Sequence, residues 1–180
     1  DSAREQLARL CGVSPWITSV ITRYPSLLDE LIDPRRLYVA PSRDDLNLEL
    51  TRILVDIDQG DVEAQMERLR TFKQAQQLRV AAADIMQTMP LMRVSDHLTW
   101  IAESMLTVAL ELAWDYLAER HGQPMYAVDG KQYPAEFGVI GFGKLGGIEL
   151  GYGSDLDLVF VHNSHGDAQL TNGARSIENG

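Results

Sequence analysis

Between Phe137 and His162 the chain reads FGVIGFGKLGGIELGYGSDLDLVFVH, and few folds accommodate that order of residues. An apolar run, Phe137-Gly138-Val139-Ile140, leads into a glycine-rich turn, Gly141-Phe142-Gly143-Lys144-Leu145-Gly146-Gly147. A short segment, Ile148-Glu149-Leu150, and a Gly-Tyr-Gly turn then lead to Ser154-Asp155-Leu156-Asp157-Leu158-Val159-Phe160-Val161, whose β-branched and aromatic content predicts a strand. Successive strand side chains face opposite sides. Leu156, Leu158 and Phe160 are therefore expected to face a core, with Asp155 and Asp157 projecting together from the other face. Two carboxylates beside a turn rich in backbone N–H groups suit divalent metal ions that carry a phosphate.

The glycine pattern itself fits two better-known phosphate binders poorly. Gly141-x-Gly143-x-x-Gly146 has the spacing of a dinucleotide-binding turn. That site needs a full crossover helix and a second strand ending in an acid. Only some eight residues separate Gly146 from the acidic strand, too few for a crossover helix, and the acids open that strand instead of closing it. A Walker A loop is excluded because no Gly-Lys-Ser/Thr follows a correctly spaced glycine. What remains is a strand, a tight turn and a strand opening with Asp-x-Asp.

The preceding 120 or so residues read as helices. Ser2 with Glu5 makes a capping box ahead of Leu7, Leu10 and Cys11, with Gly12 as the stop. Ser14-Pro15 sets an N-cap and an N1 proline before Trp16, Ile17, Val20 and Ile21. Pro25 resets the chain for Leu27, Leu28 and Leu31, which run to Asp33-Pro34. After an irregular stretch from Tyr38 to Pro41, Ser42 with Asp45 opens a helix through Leu46, Leu50, Ile53 and Leu54, ending near Gly60.

Two longer helices follow. From Asp61 to about Met89, the positions Val62, Met66, Leu69, Phe72, Leu78, Ala82 and Ile85 predict one buried stripe, and Pro90 is expected to end it. Ser95 is expected to cap a second helix with Leu98, Ile101, Met105, Val108, Leu112 and Tyr116 on one face, closed by Gly122 and Pro124. A short link between such helices predicts antiparallel packing. Arg68, Arg70, Lys73 and Arg79 read as a solvated face. Asp84, Asp96, His97 and Glu103 match no zinc spacing and read as capping and surface pairing. His121 sits at a helix C-terminus, while His162 and His165 follow the acidic strand without a third group to orient them.

Composition sets the remaining bounds. With 180 residues and 45% apolar content the chain can build a core. Sixteen Lys plus Arg against 26 Asp plus Glu, a net charge of -10, argue against nucleic acid as the main partner. The single cysteine, Cys11, allows no internal disulfide and fits a reducing, cytoplasmic setting. No signal peptide opens the sequence, and the most apolar window, Met105 to Trp114, is interrupted by Glu111 and too short to span a membrane. The absence of an initiator Met and the stop at Gly180 suggest an excised piece of a longer protein.

The strand–turn–strand unit resembles the core of the DNA polymerase β-type nucleotidyltransferases, whose signature is Gly-Ser followed by Asp-x-Asp on the next strand. Gly143-Lys144 stands in the Gly-Ser place, and Asp155 follows Gly143 by twelve residues, the spacing of that superfamily. Lys144 for Ser is a departure that replaces a hydroxyl contact with a cationic one. A wider resemblance runs from residue 14 to residue 162. Its strings are Ser14-Pro15-Trp16, Leu27-Leu28-Asp29-Glu30-Leu31-x-Asp33-Pro34, Phe72-Lys73-Gln74-Ala75-Gln76 and Val94-Ser95-Asp96-His97-Leu98. Gly143-Lys144-Leu145-Gly146-Gly147-x-Glu149-Leu150 and Ser154-Asp155-Leu156-Asp157-Leu158 complete it. Together they look like the glutamine synthetase adenylyltransferase family, which carries two nucleotidyltransferase halves. Glu149-Leu150-Gly151-Tyr152 resembles the C-terminal, AMP-attaching half; the AMP-removing half reads Glu-Leu-Asn there.

The resemblance implies an α+β chain, with a mostly helical region over residues 1–125 leading into the beginning of a nucleotidyltransferase domain over 126–180. It implies transfer of AMP from ATP to a tyrosine of glutamine synthetase, under nitrogen control through glutamine and a small regulatory protein. Asp155 and Asp157 would hold one or two Mg²⁺ ions. Gly143, Gly146 and Gly147, with Lys144, would cradle the β and γ phosphates of ATP. Ser154 would shape the start of the strand, while Glu149 matches the family string without a physical reason to be a ligand. Sites of this type use a third carboxylate on a later strand. After Asp157 the only acids are Asp167 and Glu178, in a polar tail without a strand pattern. The chain is thus expected to be inactive by itself, and the tail from Ser164 onward to be a mobile loop. Two alternatives share these residues: the phosphorolytic, deadenylylating sister half, and a non-catalytic docking module for glutamine synthetase.

Overall fold

The computed structural model describes residues 3–28, 41–164 and 169–179. Its order is α1 (Ala3–Val13), α2 (Pro15–Arg23), a 3₁₀ turn (Pro25–Leu27), α3 (Arg43–Leu54), α4 (Val62–Ile85), α5 (Leu91–His121), β1 (Met125–Val128), β2 (Lys131–Pro134), β3 (Phe137–Phe142), α6 (Gly143–Gly146) and β4 (Asp157–His162). The α+β class expected from the sequence is the class observed. The expectations for Ser2, Leu31, Asp33-Pro34, Tyr38 to Ala40, His165 and Asp167 lie outside the described residues.

Two compact units emerge, one of residues 1–106 with 148–154, the other of residues 107–147 with 155–180. In the first, capping residues start the helices where local chemistry requires. Ser14 Oγ accepts from the Ile17 N–H at 3.3 Å with Pro15 at N1. Ser42 and Asp45 form a reciprocal capping box, Asp45 N–H to Ser42 Oγ at 3.2 Å and Ser42 N–H to Asp45 Oδ2 at 3.0 Å. The Ser42 contacts hold the Asp45 carboxyl below its usual range. Leu10, Ile17, Val20 and Leu27 pack with Ala75, Leu78, Ala81 and Ala82 of α4 into one core. The closest backbone approaches link α1 to α2, α1 to α4 and α3 to α4. These contacts, more than any pairing of the two long helices, organise the unit.

Several helix features differ from the sequence reading. α1 runs through Gly12 to Val13. α4 ends at Ile85, where Gln87 adopts φ 58° and Thr88 Oγ1 donates to the Ala83 carbonyl at 3.1 Å. Pro90 begins the next helix instead of ending this one: the Arg93 N–H donates to its carbonyl at 2.8 Å, so Ser95 lies inside α5. A proline has no N–H to satisfy at a helix start, which makes that position natural. Nor does α4 carry a single stripe. Val62 and Met66 are exposed, whereas Ala75 and Gln76, and then Leu78 to Ala83, are buried on every side. Arg79 is not on a solvated face. It is 5% exposed, donating to Gln76 Oε1 at 3.2 Å and lying 3.5 Å from Glu49 Oε2, which also accepts from Gln76 Nε2 at 3.1 Å. Arg68 and Arg70 are exposed, as expected.

In the second unit, β1 and β2 form an antiparallel hairpin with Val128 opposite Lys131. Its two-residue turn, Asp129-Gly130, has both φ values positive, 51° and 76°, as a type I′ turn requires. β3 and β4 form a second antiparallel pair, with Phe142 opposite Asp157 and Phe137 opposite His162. Trp114 of α5, Phe137 and Phe160 make a row of rings with centroids 6.4 and 5.9 Å apart.

The tail is not a loose loop among its described residues. Residues 169–179 dock on the end of α5 and on β1. Gly173 N–H donates to the His121 carbonyl at 2.9 Å, Asn172 N–H to Gln123 O at 3.0 Å, and Met125 N–H to Leu170 O at 3.2 Å. Side-chain amides extend the ladder: Gln123 N–H donates to Asn172 Oδ1 at 2.8 Å, and Asn179 Nδ2 donates to the Met125 carbonyl at 2.6 Å. His121 Nδ1 meets the Arg175 carbonyl at 2.7 Å, a tie beyond any helix-end charge effect. A cavity of about 200 Å³ lies at this junction, lined by Trp114, Leu117, His121, Ile177 and Glu178 among others.

Candidate functional site

The β3–α6–β4 unit is shaped by three glycines, each for a steric reason. Leu145, 7% exposed, folds back over β3, and a Cβ at Gly141 would stand 2.8 Å from its Cδ2. A Cβ at Gly146 would stand 2.6 Å from the Gly141 carbonyl oxygen. Gly143 adopts φ 54°, and a Cβ there would collide with the Asp157 carboxylate. The G-x-G-x-x-G spacing therefore serves a tight return of the chain, not a crossover helix. α6 is a single turn of four residues that ends at Gly147, whose N–H donates to the Gly143 carbonyl at 3.0 Å.

This geometry brings Asp157 against the mouth of the turn. It is the first residue of β4, exposed, and opposite Phe142. Asp155 lies two residues ahead of the strand and is also exposed. Gly143, Lys144, Gly146 and Gly147 line the exposed surface of the turn, which puts the Lys144 ammonium group beside Gly143, while the Gly147 N–H is taken up within the turn. Ser154 has the role of a turn lock: its Oγ accepts from the Gly151 N–H at 2.9 Å, and its own N–H donates to the Gly151 carbonyl at 3.2 Å. It belongs to the helical unit, with residues 148–154.

The apolar alternation expected of β4 is only partly realised. Leu158 is half-buried, but Leu156 is 39% and Phe160 60% exposed. The sheet has two strands among the described residues, and both side chains stay exposed on it. Among the described residues no group of three or more His, Cys, Asp and Glu side chains is placed to hold a metal ion. The two aspartates nonetheless suit a hard cation such as Mg²⁺ by their chemistry: both are exposed carboxylates, and Asp157 stands against the glycine turn.

The other titratable side chains singled out in the sequence do not converge here. Asp96 pairs with Arg93 at 3.5 Å and Glu103 with Arg43 at 3.0 Å. Asp84 accepts from the Tyr152 hydroxyl at 3.1 Å. His97 is not at the surface: it is 6% exposed, set edge-on to Trp100 at 4.8 Å, with Nδ1 unpartnered. His162 is exposed at the far end of β4. The β1–β2 hairpin and the docked tail were not anticipated; the Asp129-Gly130 pair was the available signal for the first. No helix among the described residues is long and apolar enough to cross a membrane.

Residues 4–180 match the family model for glutamate-ammonia ligase adenylyltransferase. The chain is 52% identical over 177 residues to the bifunctional glutamine synthetase adenylyltransferase/adenylyl-removing enzyme of Thioalkalivibrio sulfidiphilus, an alignment covering 98% of this chain and 18% of that protein. Proteins of the same name from Shewanella loihica and Pseudomonas aeruginosa are each 50% identical, over 184 and 177 residues, covering 99% and 98% of this chain and 19% and 18% of their own. The chain thus spans less than a fifth of the length of these relatives.

Proposed function

This chain belongs to the glutamate-ammonia ligase adenylyltransferase family, and from that premise we propose that it carries the opening of a nucleotidyltransferase site that transfers AMP from ATP to a tyrosine of glutamine synthetase. The observation that carries the reading is the seating of the Asp157 carboxylate against Gly143 at the mouth of a tight glycine turn, with Asp155 two residues ahead. Asp155 and Asp157 would hold Mg²⁺, which when bound would supply charge neutralisation at the phosphates and a lower pKa for the attacking hydroxyl. Backbone amides around Gly143, with Lys144, would orient the β and γ phosphates. The tyrosine oxygen bonds to the α phosphorus as its bond to the β-bridging oxygen breaks, releasing pyrophosphate and a proton. Glu149-Leu150-Gly151 favours the AMP-attaching half over its AMP-removing sister. Glutamine synthetase is the partner in this reading, with a small nitrogen-signalling protein as regulator and the cytoplasm as its setting.

The chain alone is expected not to turn over, since a site of this type needs a third carboxylate. The test is adenylylation of glutamine synthetase by the complete parent protein, unsubstituted and as Asp155→Asn/Asp157→Asn, beside the isolated chain. Loss of AMP incorporation in the double variant of the parent, with none from the isolated chain, supports the proposal. Undiminished incorporation by that variant, or robust turnover by the isolated chain, overturns it.

A further inference from the structure

Residues 148–154 are the covalent link between the glycine turn and the two aspartates, yet they are built into the helical unit. Leu150 is 3% exposed. The Ser154 hydroxyl and amide close the Gly-Tyr-Gly turn on Gly151. The Tyr152 hydroxyl donates to Asp84 Oδ2 at 3.1 Å, near the end of α4, and its ring lies 6.1 Å from that of Trp16 on α2. Burial, reinforced by the Asp84 charge and hydrogen bond, raises the phenol pKa, so Tyr152 stays a donor at physiological pH. The link begins at Ile148 with φ 58°, a conformation that β-branched residues rarely adopt. Such a backbone persists only where surrounding contacts over-determine it. The segment is therefore held by its ties to the helices, not by its own preference.

We infer that Tyr152 and Asp84 are positioning residues: their hydrogen bond fixes segment 148–154 on the helical unit and thereby sets where Asp155 and Asp157 stand relative to the glycine turn. This rests on the reading of that turn and those carboxylates as a metal–phosphate site. Tyr152→Phe removes the hydroxyl while keeping the ring against Trp16; Asp84→Ala removes the acceptor, and Asp84→Asn restores an acceptor oxygen without the charge.

The experiment is amide NMR on the full chain and these three variants, titrated with Mn²⁺ alone. Tyr152→Phe and Asp84→Ala are expected to shift the amides of Gly147 and Asp155, at the two ends of the link. They are also expected to weaken Mn²⁺-dependent broadening over Asp155 to Leu158 by roughly threefold to tenfold, the scale of one ordinary hydrogen bond. Asp84→Asn should recover most of both effects. Shifts confined to the neighbours of Trp16, Asp84 and Tyr152, with an unchanged Mn²⁺ response, would overturn the inference, as would an Asp84→Asn variant no better than Asp84→Ala. If the unsubstituted chain shows no selective broadening, the metal reading fails separately, and the Gly147 and Asp155 shifts still decide for or against the tie.

Discussion

The carboxylate of Asp157 fills the space in which a side chain at Gly143 would begin. The two positions are joined by sterics as well as by any ligand they share, so a change at one is a change at the other. Gly143→Ala is expected to destabilise the chain by about 1–2 kcal/mol from its left-handed backbone alone, and also to displace Asp157. Urea unfolding would register the first effect, and loss of Mn²⁺ broadening at Asp157 the second. A Gly143→Ala chain of unchanged stability and metal response would contradict this close approach.

The docking of the tail gives a second prediction. Asn172→Ala removes the acceptor of the Gln123 N–H, a bond of 2.8 Å, and should cost about 1 kcal/mol. Amide exchange at Gln123, Asn172 and Gly173 is expected to accelerate together, because these groups share one small ladder. Acceleration at Gln123 alone would mean that the ladder does not open as a unit.

A third prediction concerns pH. Burial, and next the nearby Arg93 charge, hold the His97 pKa below its ordinary value of 6.5, against an opposing hydrogen bond to the Pro41 carbonyl. The unfolded chain then takes up a proton that the folded chain refuses. Its contribution to stability is fully present above about pH 6.5 and declines as pH falls from there toward the depressed folded value. Unfolding midpoints in urea should drop between pH 7.5 and pH 5.5, and His97→Gln should flatten that part of the profile. An equally steep profile in the variant would exclude His97 as its source.

What the sequence disclosed depended on how local the signal was. Ser14-Pro15 and the Ser42–Asp45 box concern neighbours three residues apart, and both formed as read. The glycine turn was legible for the same reason, a short loop leaving little choice of path, but β4 opens at Asp157 and leaves Asp155, read as part of the strand, ahead of it. Arg79 was misread because helical periodicity counts apolar residues, and nothing in that count shows a guanidinium buried against Glu49 thirty residues earlier. The tail was misread because Asn172, Gln169 and Asn179 look like solvated loop residues, yet here their amides stand in for strand backbone. Phe160 was assigned to a core by alternation alone, which gives the face of a strand but not whether anything covers that face.

The interleaving of the two units has a consequence for how the protein is made. Residues 1–106 leave the ribosome first, but their compact unit also includes Leu150 and Tyr152. Domains generally fold as units during synthesis, N-terminal parts first. Here the helical unit cannot complete its contacts until residue 154 has been added, by which time β3 and the glycine turn have already emerged. The first unit to begin is therefore not free to finish first, and translation must carry the chain through the glycine turn before the helices that precede it can close.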